Sequence, residues 1–157
     1  MIRRAHNSDH EWITGLASTV YRDLGNYGDV MPTWLSHPGV LAYIEQCDKT
    51  QNRRGFILLG FYQTPPETKA YLADLLAIGV SPEYQRQGVG RRLLKHAVGL
   101  AKLAGRSGDV PEIRLTVADS NKAGQSLFSS SGFQVLDVDH GSYDGGQRAI
   151  RMHRTLL

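Results

Sequence analysis

The sequence predicts a mixed α+β fold, and three observations carry that prediction. Apolar residues fill strand-length stretches at 40–46, 55–63 and 71–80. They recur at helical spacing over 7–24 and 88–104, and the two kinds of segment interleave, with at least one β-α-β crossover and no internal repeat. At 157 residues the chain is expected to form one domain, 1–157, long enough to bury about two thirds of its unfolded surface.

In order, "MIRRA" reads as a short strand. "NSDHEWITGLASTVYRDL" reads as an amphipathic helix with Asn7 or Ser8 as N-cap, Glu11 in its first turn, and Trp12, Ile13, Leu16 and Val20 on one stripe. Gly, Asn, Asp and Pro recur from Gly25 to Gly39, so that stretch is expected to be a loop with at most a short helical turn, free to line a pocket. "VLAYIEQ" and "GFILLGFYQ" form an antiparallel hairpin around the polar "CDKTQNRR". After the turn "TPPET", "YLADLLAIGV" is a nearly continuous apolar run interrupted by Asp74, as in a central strand buried on both faces.

From Gly88 to Ala104 the apolar positions Val89, Leu93, Leu94, Ala97, Leu100, Ala101 and Ala104 mark a second amphipathic helix. "EIRLTVAD" is a strand and "NKAGQSLFSSS" a short helix closed by Gly132. "FQVLDVD" and "QRAIRMHRTL" are final strands around the loop "HGSYDGG".

Composition narrows the function. The chain is 41% hydrophobic and 21% charged, an ordinary globular balance. A net charge of +3 suits an anionic ligand, whereas the arginines gather at one loop without interleaved aromatics, so nucleic acid is not an expected partner. Cys47 is the single cysteine, which leaves no disulfide and no thiolate zinc cluster, and the one histidine pair four apart, His6 and His10, straddles the start of the helix read from Asn7 instead of lying within it, so no metal is expected. The opening residues hold no apolar segment of signal-peptide length, and no stretch approaches the ~20 apolar residues of a membrane span. A cytoplasmic location without a membrane partner is therefore expected.

The stretch "SPEYQRQGVGRRLL" concentrates glycine and arginine where a helix begins. A strand ending at Val80, a turn at Pro82 and a helix opening at Gly88 present the amides of Gln87 to Gly90 at a positive helix terminus, which is an anion cradle. Gly88 and Gly90 allow a pyrophosphate to approach closely, with Arg86, Arg91 and Arg92 offsetting charge at the rim. The spacing matches neither a P-loop, which needs Gly-Lys-Ser/Thr, nor a dinucleotide fingerprint, whose third glycine would fall where Leu93 stands.

"LLAIGVSPEYQRQGVGRRLL" resembles the acetyl-CoA motif of the GNAT superfamily, (Gln/Arg)-x-x-Gly-x-(Gly/Ala), matched by Gln85, Gly88 and Gly90. "NKAGQSLFSSSGF" is similar to the second GNAT motif, with Asn121, Leu127, Gly132 and Phe133 in register. Gly124 replaces the usual alanine and Phe128 the usual tyrosine. The resemblance covers Tyr71 to Phe133 closely and the first seventy residues only in pattern.

The resemblance implies a GNAT fold: a mostly antiparallel sheet of about six or seven strands flanked by about four helices, with a splayed strand pair binding the cofactor. It implies an N-acetyltransferase that uses acetyl-CoA on an amine of a small molecule or protein, with a homodimer as a further family expectation. The alternative is an acyl-CoA-binding module without turnover.

The implied cofactor-binding set is Ile78 and Val80, whose backbone pairs with the pantetheine arm, then Gln85, Arg86, Gln87, Gly88, Val89, Gly90 and Arg91, with Asn121 and Phe128. By residue type Asn121 reads equally as a helix cap. Asp74 is the candidate base. It lies four residues before Ile78, on the same strand face by alternation, and matches the catalytic glutamate of the histone-acetyltransferase branch. Phe128 removes the usual proton donor, for which Tyr143, with Tyr84 second, is the candidate substitute. Tyr21, Tyr27, Trp34 and Tyr143 are candidates for an aromatic acceptor pocket, and Cys47, His140 and Ser129 to Ser131 are read as structural.

Overall fold

The computed structural model describes residues 1–63, 71–107 and 110–156. The turn expected at 64–68 lies outside them. The elements are β1 (Ile2–Arg4), α1 (His10–Val20), α2 (Tyr27–Ser36), β2 (Val40–Gln46), β3 (Arg53–Gln63), β4 (Tyr71–Val80), α3 (Val89–Ser107), β5 (Glu112–Ala118), α4 (Lys122–Ser130), β6 (Gln134–Asp137) and β7 (Ala149–Thr155). The strands form one sheet in the order β1-β2-β3-β4-β5-β7-β6, antiparallel throughout except for the β4–β5 pair.

Each face of the sheet carries a core. On one face α3 buries Val89, Leu93, Leu94, Ala97, Val98 and Ala101 against Ile57, Leu59, Ala73, Leu75, Ile113 and Leu115, and α4 adds Phe128. Leu93 and Leu94 are fully buried, each worth about 1.5–3 kcal/mol of transfer free energy. On the other face Ile13, Leu16 and Ala17 of α1 and Met31 of α2 cover Ala42, Ile44, Phe56, Leu58 and Ala77.

Two local expectations are corrected. The stretch from Gly25 to Gly39 is not a loop, because α2 occupies ten residues of it despite Pro32 inside the helix. Proline forfeits an intrahelical hydrogen bond, but the fully buried Met31 and the packed Trp34 and Leu35 hold the helix on the sheet. The start of α1 is organised by Asp9, not by Asn7 or Ser8. A 3-10 turn at Asn7–Asp9 precedes the helix, and the Asp9 carboxylate accepts from the His6 amide at 2.7 Å while pairing with Arg3 at 2.7 Å and Arg53 at 2.8 Å.

The strand that organises the site, β4, contains a bulge. Leu58 opposes Ala77 and Leu59 opposes Leu75, so Leu76 is an extra residue. The bulge reverses the alternation: Ala73 and Leu75 before it, and Ile78 and Val80 after it, all face the α3 core. Pairing of β4 with β5 joins Ala73–Leu75 to Ile113–Leu115 and goes no further, so the two strands part beyond Leu75.

Candidate active site

The parted strands open a cleft of about 1230 Å³. Its floor is β4 from Leu75 to Val80 and β5 from Thr116 to Ala118; α4 forms one wall, and the start of α3 closes one end. Val20 to Leu24 and the loop residues Tyr143 and Gln147 close the other. Of the residues singled out from the sequence, Ile78, Val80, Gln85, Arg86, Gly88, Val89, Gly90, Arg91, Asn121, Phe128 and Tyr143 line this cleft, and so does Tyr84.

At the α3 end the chain turns through positive φ twice, at Arg86 (64°) and Gly88 (81°). The Arg92 amide is the first to reach back within the helix, to the Gly88 carbonyl at 3.0 Å, so the amides ahead of it emerge at the helix terminus. A Cβ at Gly88 would lie 2.9 Å from Arg92 Nη1, whereas one at Gly90 would meet nothing closer than Leu127 at 3.4 Å. Arg92 is not at the rim as expected. Its guanidinium grips the buried Glu45 at 2.5 and 3.0 Å and the Gln87 carbonyl at 3.0 Å, which ties α3 to β2. Gln87 stands outside the lining of the cleft, with its side chain donating to the Glu83 carbonyl at 3.3 Å.

Along the floor, the polar backbone groups of Ile78 and Val80 face the cleft. The Gln85 side-chain Nε2 donates to the Val80 carbonyl at 3.2 Å. Tyr21, the residue after α1, is engaged twice at Ile78: its hydroxyl donates to the Ile78 carbonyl at 2.7 Å and accepts from the Ile78 amide at 2.9 Å. Burial pushes the Tyr21 and Tyr143 hydroxyls above their ordinary range, so both stay protonated at neutral pH. Tyr21 stacks on Tyr27 at 4.4 Å, and Tyr27 meets Trp34 edge-on at 6.2 Å. Of the four candidate pocket aromatics only Tyr21 and Tyr143 line the cleft. Nothing in the sequence marked the Tyr21–Ile78 contact, which joins residues 57 positions apart.

Asp74 differs from its expected placement. Because the Leu76 bulge intervenes, Asp74 and Ile78 lie on opposite faces of β4, and Asp74 lies outside the lining of the cleft. It accepts from the Tyr62 hydroxyl at 3.2 Å and stands 3.8 Å from the Arg151 guanidinium, whose other nitrogen donates to Thr116 Oγ1 at 3.1 Å. Thr116 lines the cleft, so Asp74 is linked to it through Arg151. Burial raises the Asp74 carboxyl above its usual range, against the opposing pull of Arg151.

Asn121 caps α4, accepting from the Gly124 amide at 2.9 Å. A Cβ at position 124 would lie 2.5 Å from Asn121 Nδ2, so an alanine there requires the Asn121 side chain to shift. Phe128 is buried, with its ring edge-on to Phe133 at 6.1 Å.

The model of the Acetyltransferase (GNAT) family matches residues 10–133. The chain belongs to the GNAT acetyltransferase family. The [Ribosomal protein bS18]-alanine N-acetyltransferase of Escherichia coli (strain K12) is 39% identical over 83 residues, 51% of this chain and 53% of that protein. The N-alpha-acetyltransferase RimI of Mycobacterium tuberculosis is 35% identical over 109 residues, 65% of this chain and 62% of that protein. The chain thus spans about half to two thirds of the length of these two curated relatives. Among solved GNAT structures, the ribosomal-protein-S18-alanine N-acetyltransferase of Escherichia coli superimposes with a TM-score of 0.67 at 24% identity, covering 99% of this chain and 93% of that one. The mixed sheet with its flanking helices is the GNAT fold.

Proposed function

We propose that the chain is an N-acetyltransferase that binds acetyl-CoA in the β4–β5 cleft and acetylates an amine presented from the Tyr21–Tyr143 end. The observation that carries this reading is the continuity of the cleft, in which the helix-terminal amides and Arg86 and Arg91 lead directly to the edge of β4 that β5 leaves uncovered at Val80 and Ile78. The residues fit the cofactor's chemistry: the cradle suits a pyrophosphate, and the β4 edge suits an amide-bearing arm that adds as a strand. Acetyl-CoA supplies an activated thioester acyl group. The chain's own part is to hold the anionic end, to align the arm by backbone pairing, and to manage two protons.

Asp74 is the proposed acceptor of the amine's proton, which reaches it through water; its raised pKa supports the role, and Arg151, bonded to Thr116 of the cleft, relays no proton but holds the carboxylate beside it. Tyr143, a protonated phenol in the cleft, is the proposed donor to the leaving thiolate in place of the hydroxyl that Phe128 lacks. The names of the Escherichia coli and Mycobacterium tuberculosis relatives favour a protein α-amine as the first acceptor class to test.

Free-thiol release from acetyl-CoA across peptides, polyamines, amino acids and aminoglycosides, measured beside calorimetric binding, tests the proposal. Turnover on one class supports it, and absence of binding removes it. Phe128 favours a second reading, an acyl-CoA-binding module without turnover. Tight binding with no transfer on any amine is the outcome that would select it.

A further inference from the structure

Among the described residues no strand lies beside the edge of β4 beyond Leu75, yet the polar groups of Ile78 are already satisfied. One hydroxyl, that of Tyr21, both accepts from the Ile78 amide at 2.9 Å and donates to the Ile78 carbonyl at 2.7 Å. This is the double exchange that a facing residue on a hydrogen-bonded antiparallel strand would make. An amide carries one proton, so the Ile78 N–H cannot serve Tyr21 and an added strand-like ligand together. A ligand held by its anionic end in the α3 cradle and extended along β4 passes Val80 and meets Tyr21 at Ile78.

Tyr21 is also the point at which α1 hands over to the segment walling the far end of the cleft. Its ring stacks on Tyr27, the first residue of α2. The intervening segment carries the 143–147 loop, with the Gly145 amide donating to the Leu24 carbonyl at 3.1 Å and the Gln147 side chain to the Asp23 carbonyl at 2.9 Å. A displacement of Tyr21 therefore disturbs both walls of that end.

We propose that Tyr21 is a displaceable stand-in for the cofactor arm at Ile78, and that filling the cleft moves it, so that cofactor loading is passed to the 21–27 segment and the 143–147 loop. The inference rests on the reading that acetyl-CoA occupies the β4–β5 cleft. Tyr21 is on this account a positioning residue, one that competes with the cofactor and gates the acceptor end.

The test is calorimetry of acetyl-CoA with the parent and with Tyr21→Phe, together with amide hydrogen exchange of the parent with and without saturating acetyl-CoA. A phenyl ring at position 21 leaves the Ile78 amide and carbonyl to the ligand, so Tyr21→Phe is expected to bind acetyl-CoA about fivefold or more tightly than the parent. A purely structural tyrosine would give unchanged or weaker binding, and that result overturns the inference. In hydrogen exchange, residues 20–27 of the parent are expected to exchange faster with acetyl-CoA while residues 78–90 exchange more slowly. Unchanged or slowed exchange at 20–27 overturns the inference by itself, whether or not the Tyr21→Phe chain folds. A parent that binds no acetyl-CoA removes the proposed function and this inference together. A parent that binds while either expected change is missing removes the inference alone.

Discussion

Phe128 and Asp74 are the residues at which chemistry and placement disagree most. The Phe128 ring both packs against Phe133 and lines the cleft, so a para-hydroxyl can be added without entering the core only if it emerges on the cleft side. Phe128→Tyr is expected to retain the parent's melting temperature and to leave the transfer rate equal or higher. Tyr143→Phe is expected to slow the parent, and the double variant to recover part of that loss, because the two hydroxyls would serve one step. No effect of Tyr143→Phe in either background would leave thiolate protonation to solvent.

For Asp74, burial keeps the carboxyl protonated to higher pH than an ordinary aspartate, so the acid limb of the rate profile should fall above the usual carboxylate range. Asp74→Asn should abolish that limb and lower kcat by about 10²-fold, with acetyl-CoA affinity nearly unchanged. A kcat within about threefold of the parent would move the base role to water.

At the scale of elements, the strand–turn–helix unit of β4 and α3 depends on two glycines for different reasons. Gly88 has φ of 81°, and its Cβ would press on the guanidinium that binds Glu45, so the requirement there is conformational as well as spatial. A side chain at Gly88, as in Gly88→Val, takes the space that the sequence assigns to the ligand. The left-handed backbone means that it also strains the cradle. Gly88→Ala is expected to weaken acetyl-CoA binding by at least about tenfold and to lower stability by about 1 kcal/mol. Gly90→Ala meets only ordinary contacts within the protein and should stay close to the parent in stability. Equal behaviour of the two variants in calorimetry and thermal melting would refute this division.

Across the whole molecule, the α1–α2 face is secured by buried charge as well as by apolar packing. Asp9, 1% exposed, joins Arg3, Arg53 and the His6 amide, and so links β1, the approach to α1, and β3. The Arg3 hydrogen bond, above all, holds the Asp9 carboxyl well below the usual carboxylate range. A carboxyl depressed in the folded state stabilises above its unfolded pKa and loses that contribution as pH falls through the folded value. Asp9→Ala should therefore cost about 3–5 kcal/mol near neutral pH, with the gap to the parent closing as the solution is acidified below the ordinary carboxylate range. Urea titrations at neutral and acid pH measure both quantities, and a gap independent of pH would refute the electrostatic account.

The sequence by itself determined the element order around β4 and α3, the glycine-containing helix start and the family, because these depend on short-range pattern: an apolar run, a turn, and glycines at the start of a helix. It also marked Asn121 as a cap, since capping is decided within one helical turn. Only the tertiary structure decided that Asp74 and Ile78 face opposite ways, because the Leu76 bulge arises in the pairing of β4 with β3 and leaves no mark in β4's own alternation. The same holds for α2, where packing of Met31 outweighs the signals of Gly28 and Pro32, and for Arg92, drawn from the rim by a carboxylate 47 residues away. Tyr21 belongs with them. A helix-terminal aromatic reads as packing until the fold brings Ile78 to its hydroxyl, and long-range hydrogen bonds of that kind are set by topology.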